Sequence, residues 1–261
     1  MSVSQIIIMI LIGLFTGIVT GLTGASGVMV VVPCLTILSN FSIHEAIGTS
    51  LMINIITAAA ISYVYYKHGN IELKAGIWIA VGSILGSQVG SFFAAGIKSM
   101  GLGIAFAIFM IVMGILIWWK GINSQAIAEQ TRGIFKLQTS KQKIFASLGL
   151  GLFVGIMTGI FGAGGGGMIL IILIFVLNFP LHLAIGTSAF LMTITACSGT
   201  IGYALQSNVR LIPALIIGLS SVVSGITGAR FANRVNEQIL GKVVGVIFIL
   251  LGIIMTILNL K

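Results

Sequence analysis

The sequence predicts an all-α polytopic membrane protein made of two tandem repeats of five hydrophobic segments, roughly eight to ten transmembrane helices in all. Three observations carry that expectation. Of 261 residues, 58% are hydrophobic and 7% charged, where soluble chains carry roughly 25% charged residues, and the mean hydropathy is +1.21. Uncharged runs recur at close to the ~20 residues that cross hydrocarbon once. The chain also matches itself when displaced by 138 residues, without a gap. An ordinary soluble domain is excluded.

In the first half the hydrophobic segments are about 4–22, 27–39, 44–66, 74–97 and 100–119, the second being the shortest. No Asp, Glu, Lys or Arg occurs from Met1 to Ile43, enough for two passes or for one pass and a re-entrant hairpin. Ile144–Val209 is uncharged for 66 residues and must fold back on itself, with glycines at 162–167 and Asn178–Pro180 as turning points. The one charge-mixed stretch, Lys120–Lys143, reads as the loop between halves. The expected organisation is a first transmembrane repeat at 1–123, a cytoplasmic linker at 124–138 and a second repeat at 139–261. The opening MSVSQIII lacks the Lys or Arg of a secretory signal, so it is expected to be retained.

The repeat is more than shared apolarity. Between Gly13–Gly27 and Gly151–Gly165 ten of fifteen positions match, and between Asn40–Ser50 and Asn178–Ser188 the matches include Asn40, Phe41, His44 and the run Ala46-Ile-Gly-Thr-Ser50. If all five segments cross, the halves are inverted, with short broken helices near the midplane, as in many secondary transporters. If the short segment only dips in and returns, the halves are parallel. With five crossings and a cytoplasmic linker, ten Lys and Arg fall inside and only Lys98, Arg210 and Lys261 outside; four crossings give nine against four. The positive-inside bias favours inversion.

The formal charge of +9 comes from 13 Lys and Arg against 4 acidic residues. It sits mainly in loops and the linker, so nucleic acid is not an expected partner; the bilayer and a small anion are, and a homo-oligomer is compatible with the sequence. Cys34 and Cys197 lie in apolar runs without ligand-spaced neighbours, and no P-loop, dinucleotide or zinc motif occurs, so neither metal nor cofactor is expected.

Two pairs of motifs carry the candidate site. Gly21-Leu-Thr-Gly-Ala-Ser-Gly27 and Gly159-Ile-Phe-Gly-Ala-Gly-Gly-Gly-Gly167 follow the first segment of each half. Irregular backbone at membrane depth is tolerated only where protein or a water-filled cavity surrounds it. Helices starting after such breaks would aim unsatisfied N–H groups and a positive dipole end at a cavity and could hold an anion. The plainer explanation is close helix packing by small residues. Thr49, Ser50, Thr187 and Ser188, in the repeated Gly-Thr-Ser runs, offer hydroxyl donors within two turns of a helix start, or else bond their own backbone. Candidate substrate-binding residues are Thr23, Gly24, Ala25, Ser26, Gly27, Thr49, Ser50, Asn54, Gly162, Ala163, Gly164, Gly165, Thr187 and Ser188. His44 and His182, at the membrane edge, fit structural capping or proton handling. Glu45 pairs with Leu183 in the repeat and reads as a solvated helix N-terminal charge.

With these motifs, Pro33, and Gly228-Ala-Arg230 with Arg234 before the last segment, the chain resembles the TauE/SafE sulfite exporter family, grouped with the toluene-sulfonate uptake permeases. The resemblance covers nearly the whole chain. It implies a secondary transporter of small sulfur-containing anions such as sulfite or organosulfonates, in a cell membrane, by alternating access and often thought to be proton-coupled. The first half departs from the glycine-rich form: Ser26, Val28 and Met29 stand opposite Gly164, Gly166 and Gly167. Two rival readings fit the sequence less well. Gly24-Ala-Ser-Gly27 also matches the G-x-S-G nucleophile motif of rhomboid-type proteases, but the second copy replaces Ser26 with Gly164. A passive anion channel lacks its rings of charge.

Overall fold

The computed structural model describes residues 3–23, 26–67, 69–120, 140–162, 165–175, 177, 179, 181–232 and 237–259. Among them are ten helices and no strand: α1 (Val3–Thr23), α2 (Val28–Ser39), α3 (Ile43–Lys67), α4 (Leu73–Gly96), α5 (Ser99–Lys120), α6 (Ser140–Phe161), α7 (Gly165–Phe175), α8 (Leu181–Ala204), α9 (Leu211–Ala232) and α10 (Glu237–Asn259). The first-half bounds fall within one residue of the hydrophobic segments. Val3–Thr20, Ile43–Lys67, Gly76–Gly96 and Ile144–Phe161 are each long and apolar enough to cross a membrane. The expected linker 124–138 lies outside the described residues.

Local chemistry fixes the helix ends. Ser42 and Glu45 form a capping box at α3: the Glu45 carboxylate accepts the Ser42 N–H at 3.2 Å, and Ser42 Oγ accepts the Glu45 N–H at 3.3 Å. The helix-terminal reading of Glu45 therefore has a geometric basis. α2 stops at Asn40, whose φ of 53° is left-handed, and the N–H groups of Asn40 and Phe41 both turn back to the Leu35 carbonyl. In the other half the Phe179 N–H reaches the Leu173 carbonyl at 3.0 Å in the same way. α2 and α7 have 12 and 11 residues, so each rises roughly 18 Å and falls short of the ~30 Å hydrocarbon core. α2 is the centre of the molecule: Val28 to Val32 and Leu35 are almost wholly buried.

Packing runs across the halves. α1 lies along α9, α4 along α6, α3 on α8 and α5 on α10. In the α4–α6 seam a Cβ added at Gly82 would meet the backbone of Leu148 and Gly151, at Gly86 that of Leu152 and Gly155, and at Gly90 that of Ile156 and Gly159. Those glycines recur every fourth residue on both helices, so the two run in the same direction with backbones touching. The α1–α9 seam repeats the pattern with Gly13 and Gly17 against Ser220, Ser221 and Ser224. The counterpart helices α5 and α10 run in opposite directions, with Gly114 opposite Gly245 and Ala107 opposite Gly252. α3 and α8 also oppose, since Gly48 meets Tyr203 and Gly186 meets Tyr65. Outward faces are apolar, with Leu11, Phe15, Leu85, Phe92, Phe93, Leu219 and Val223 exposed, whereas Ser83, Ser87, Ser91, Ser147 and Ser221 are buried. That distribution suits a lipid solvent, in which small polar residues hold helices together.

The seam makes a paired test. Gly86→Ala places a methyl on the Leu152 carbonyl, and such overpacking costs typically about 1–3 kcal/mol. Gly149→Ala meets open space in α6 and gains helix propensity. We expect a lower melting temperature in detergent for the first and an unchanged or higher one for the second.

Candidate functional site

The first break ends at Ser26 and Gly27. Ser26 is buried and its Oγ accepts the Val28 N–H at 3.4 Å, while the Gly27 carbonyl accepts the N–H groups of Val30 and Val31, both at 3.0 Å, opening α2. Gly27 sits where no side chain fits: a Cβ there would stand 2.7 Å from Thr20 Oγ1 and strike the Thr16 methyl. Thr16, Thr20, Gly27, Val28, Ser50, Ile53, Asn54 and Thr57 enclose a cleft between α1, α2 and α3 with no room for a water molecule. Its described lining is rich in hydroxyls and contains no acidic residue, and the positive end of α2 opens onto it.

The second break reaches the same place. Gly162 has a left-handed φ of 66°, and a Cβ there would lie 3.2 Å from Val28 Cγ1 and 3.4 Å from Ser50 Oγ. Its N–H bonds the Thr158 carbonyl at 2.7 Å, and the Tyr203 hydroxyl donates to the Ile160 carbonyl at 3.3 Å, so the end of α6 is satisfied internally. Phe161 stacks on Phe109 with ring centroids 4.7 Å apart, fixing the break from the other side. Gly165 opens α7 against Thr158 and Met192.

The structure thus brings Ser26, Gly27, Ser50, Asn54 and Gly162 together. Gly24, Ala25, Ala163 and Gly164 lie outside the described residues, and of Thr23 and His182 only the helical backbone is described. Thr49 and Thr187 are fully buried and hold the opposite half. Thr49 Oγ1 accepts the Arg210 N–H at 3.1 Å, and Thr187 Oγ1 accepts the Glu72 N–H at 3.0 Å. The glycine before each threonine admits the same loop, because a Cβ at Gly48 would run into the Asn208 carbonyl and one at Gly186 into that of Asn70. Ser50 Oγ donates to the Ile47 carbonyl at 2.7 Å, and Ser188 is buried. His44 Nε2 meets the Ala94 carbonyl at 3.0 Å and Nδ1 the Ser99 hydroxyl at 3.4 Å, a contact that caps α4 onto α5. Arg210 forks onto the Glu45 carboxylate, clamping the turn before α9 to the start of α3.

Five lining residues were not among the sequence candidates, the apolar Val28 and Ile53 and the hydroxyl-bearing Thr16, Thr20 and Thr57. Thr20 stood in the repeated block, and Thr16 lies one helical turn before it on the same face, which is the signal that could have found them. Thr57 bonds Ser221 at 2.8 Å, and its counterpart Thr195 bonds Ser83 at 2.7 Å, so each half hydrogen-bonds the other at positions 138 residues apart.

A helical membrane protein with paired broken segments meeting inside the bundle has the build of a transporter, and comparison with known proteins names the class. The family model of the sulfite exporter TauE/SafE matches residues 9–255, and the chain belongs to that family. It is 25% identical to the Probable membrane transporter protein YunE of Bacillus subtilis, over 94% of this chain and 95% of that protein. It is 28% identical to YdhB of the same organism, over 89% and 93%. A Probable membrane transporter protein of Methanocaldococcus jannaschii is 24% identical over 95% and 94%. No solved structure matches. The chain is a multi-pass membrane transporter of this family, whose members are transporters and not enzymes.

Thr49→Val and Thr187→Val each leave a backbone N–H without its acceptor, a loss of about 1 kcal/mol. We expect each to lower the melting temperature by a few degrees. An unchanged melting temperature in both would remove the threonines from this anchoring role.

Proposed function

We propose that the chain is a secondary transporter of small sulfur-containing anions, sulfite or organosulfonates, that works by alternating access in a cell membrane. The observation that carries this reading is the positive end of the buried helix α2 opening onto a cleft of hydroxyl groups at the meeting of the two breaks. Ser26, Gly27, Ser50, Asn54 and Gly162 form the core of the site. Backbone dipoles and neutral donors suit an anion that must leave again, because a fixed cation would hold it too strongly. The opposite directions of α3 and α8, and of α5 and α10, support reading residues 1–123 and 139–261 as an inverted repeat, and inverted repeats rock about a central site; the count of Lys and Arg favours a cytoplasmic linker at 124–138. The closed cleft corresponds to an occluded state, so α2 must shift against α1 and α3 to admit substrate. His44 and His182 are the candidate proton-handling groups.

Purified protein in liposomes should take up radiolabelled sulfite or sulfoacetate with saturation, faster with a pH gradient than without. Ser26→Leu, which fills the buried break, should lower uptake at least tenfold while the protein still elutes as a folded species. Absence of uptake of both anions by the wild type would withdraw the substrate.

A further inference from the structure

We propose that the anion is bound on one side only, in the first-half cleft, by the hydroxyls of Thr16 and Thr20, and that Met192 closes the equivalent position of the second half. This rests on the anion-transporter reading above and specifies its site.

Thr16 and Thr20 are 2% and 3% exposed, and among the described residues neither hydroxyl has a hydrogen-bond partner, a condition shared with the buried Thr200 hydroxyl elsewhere on α8. A threonine in an apolar helix ordinarily donates to the carbonyl one turn back. Thr57, Thr193 and Thr195 all do so, at 3.1, 3.0 and 2.9 Å. Thr158, the counterpart of Thr20, donates to the Val154 carbonyl at 2.8 Å. Thr16 and Thr20 instead line the cleft at the start of a 12-residue helix, with the Thr20 hydroxyl and the Thr16 methyl nearest Gly27, so that rotation about the Thr16 χ1 brings its hydroxyl to the same place. Buried donors left without a partner are uncommon in native structures, and two of them one turn apart, beside a positive helix end, form a ready cradle for the oxygens of a single oxyanion.

The second half lacks this chemistry. In the 138-residue register Val154 replaces Thr16, Gly164 replaces Ser26 and Met192 replaces Asn54. The Met192 side chain is 4% exposed and lies against the positions where Gly165 and Gly166 would carry a Cβ. A thioether fills there what an amide lines in the first half. The two breaks therefore divide the work: the first binds and the second supplies a close-packed wall at Gly162.

The test compares hydroxyl-free and hydroxyl-keeping variants by sulfite uptake in liposomes and by the rise in melting temperature that sulfite produces in detergent. Thr16→Val and Thr20→Val should raise KM for sulfite at least tenfold and abolish the sulfite-induced rise. Thr20→Ser should stay within threefold of wild type, and Thr158→Val should match wild type. If either valine variant fails to fold, Thr16→Ala and Thr20→Ala carry the same comparison. Wild-type KM in the Thr16 and Thr20 variants, or an equal loss in Thr158→Val, overturns the one-sided site while leaving the transporter standing. Failure of the wild type to bind or take up sulfite overturns the anion reading, and this site with it.

Discussion

Hydrocarbon offers no hydrogen bonds, so every N–H and C=O freed by breaking a helix inside the bilayer must find a partner within the protein. The architecture follows from that requirement. The two breaks are placed against each other, with Gly162 on Val28 and Ser50, and among the described residues several freed backbone groups find partners nearby: Ser26 Oγ accepts the Val28 N–H, the Tyr203 hydroxyl donates to the Ile160 carbonyl, and the Thr158 carbonyl accepts the Gly162 N–H. Asn40 spares the end of α2 by turning the chain back onto Leu35. α2 can be short because it never has to reach both surfaces. Its neighbours bury the first turns, from Val28 to Val32 with Leu35, and leave Leu38 near its C-terminal end exposed.

Holding such an interior closed requires helices that approach more tightly than leucine-lined surfaces allow. The α4–α6 and α1–α9 seams achieve this by removing side chains at every fourth residue, so that backbone meets backbone. Hydroxyl pairs then lock one half to the other, Thr57 to Ser221 and Thr195 to Ser83. The cleft is lined by α1, α2 and α3 of the first half, and the second half holds two of these in place, α9 against α1 and α8 against α3.

Much of this was written plainly in the sequence. In the first half hydropathy gave the helix ends to within a residue, because lipid imposes a single length scale, and the paired histidine and Gly-Thr-Ser runs marked where the third helix of each half begins. The partner of each helix was not legible, since any apolar helix with spaced glycines can pack on any other. For the same reason the repeated Gly-Thr-Ser runs suggested ligand contact, whereas Gly48 and Thr49 spend their small size and hydroxyl on the turn before α9, and Gly186 and Thr187 on the turn before α4. Thr16 and Thr20 were overlooked because a threonine in an apolar run costs little on a hydropathy scale, and because only coordinates reveal that a hydroxyl has turned away from its own backbone.

Duplication explains why the two halves share a frame, and divergence explains why they need not share a task. Selection for packing acts on both copies alike, which keeps the glycine seams and the threonine anchors in register. The polar cluster of Thr16, Thr20, Ser26 and Asn54 against Val154, Thr158, Gly164 and Met192 has the form expected when one copy keeps the solvating groups and the other becomes a wall. The same asymmetry recurs at the surface, where Arg210 clamps Glu45 while their counterparts, Glu72 and Leu183, can form no such pair. The turn before α9 is thus held to α3 by the Thr49 hydroxyl and by this ion pair, whereas among the described residues the turn before α4 is held to α8 by the Thr187 hydroxyl, so the shared anchor is the threonine and the charge is an addition of one copy.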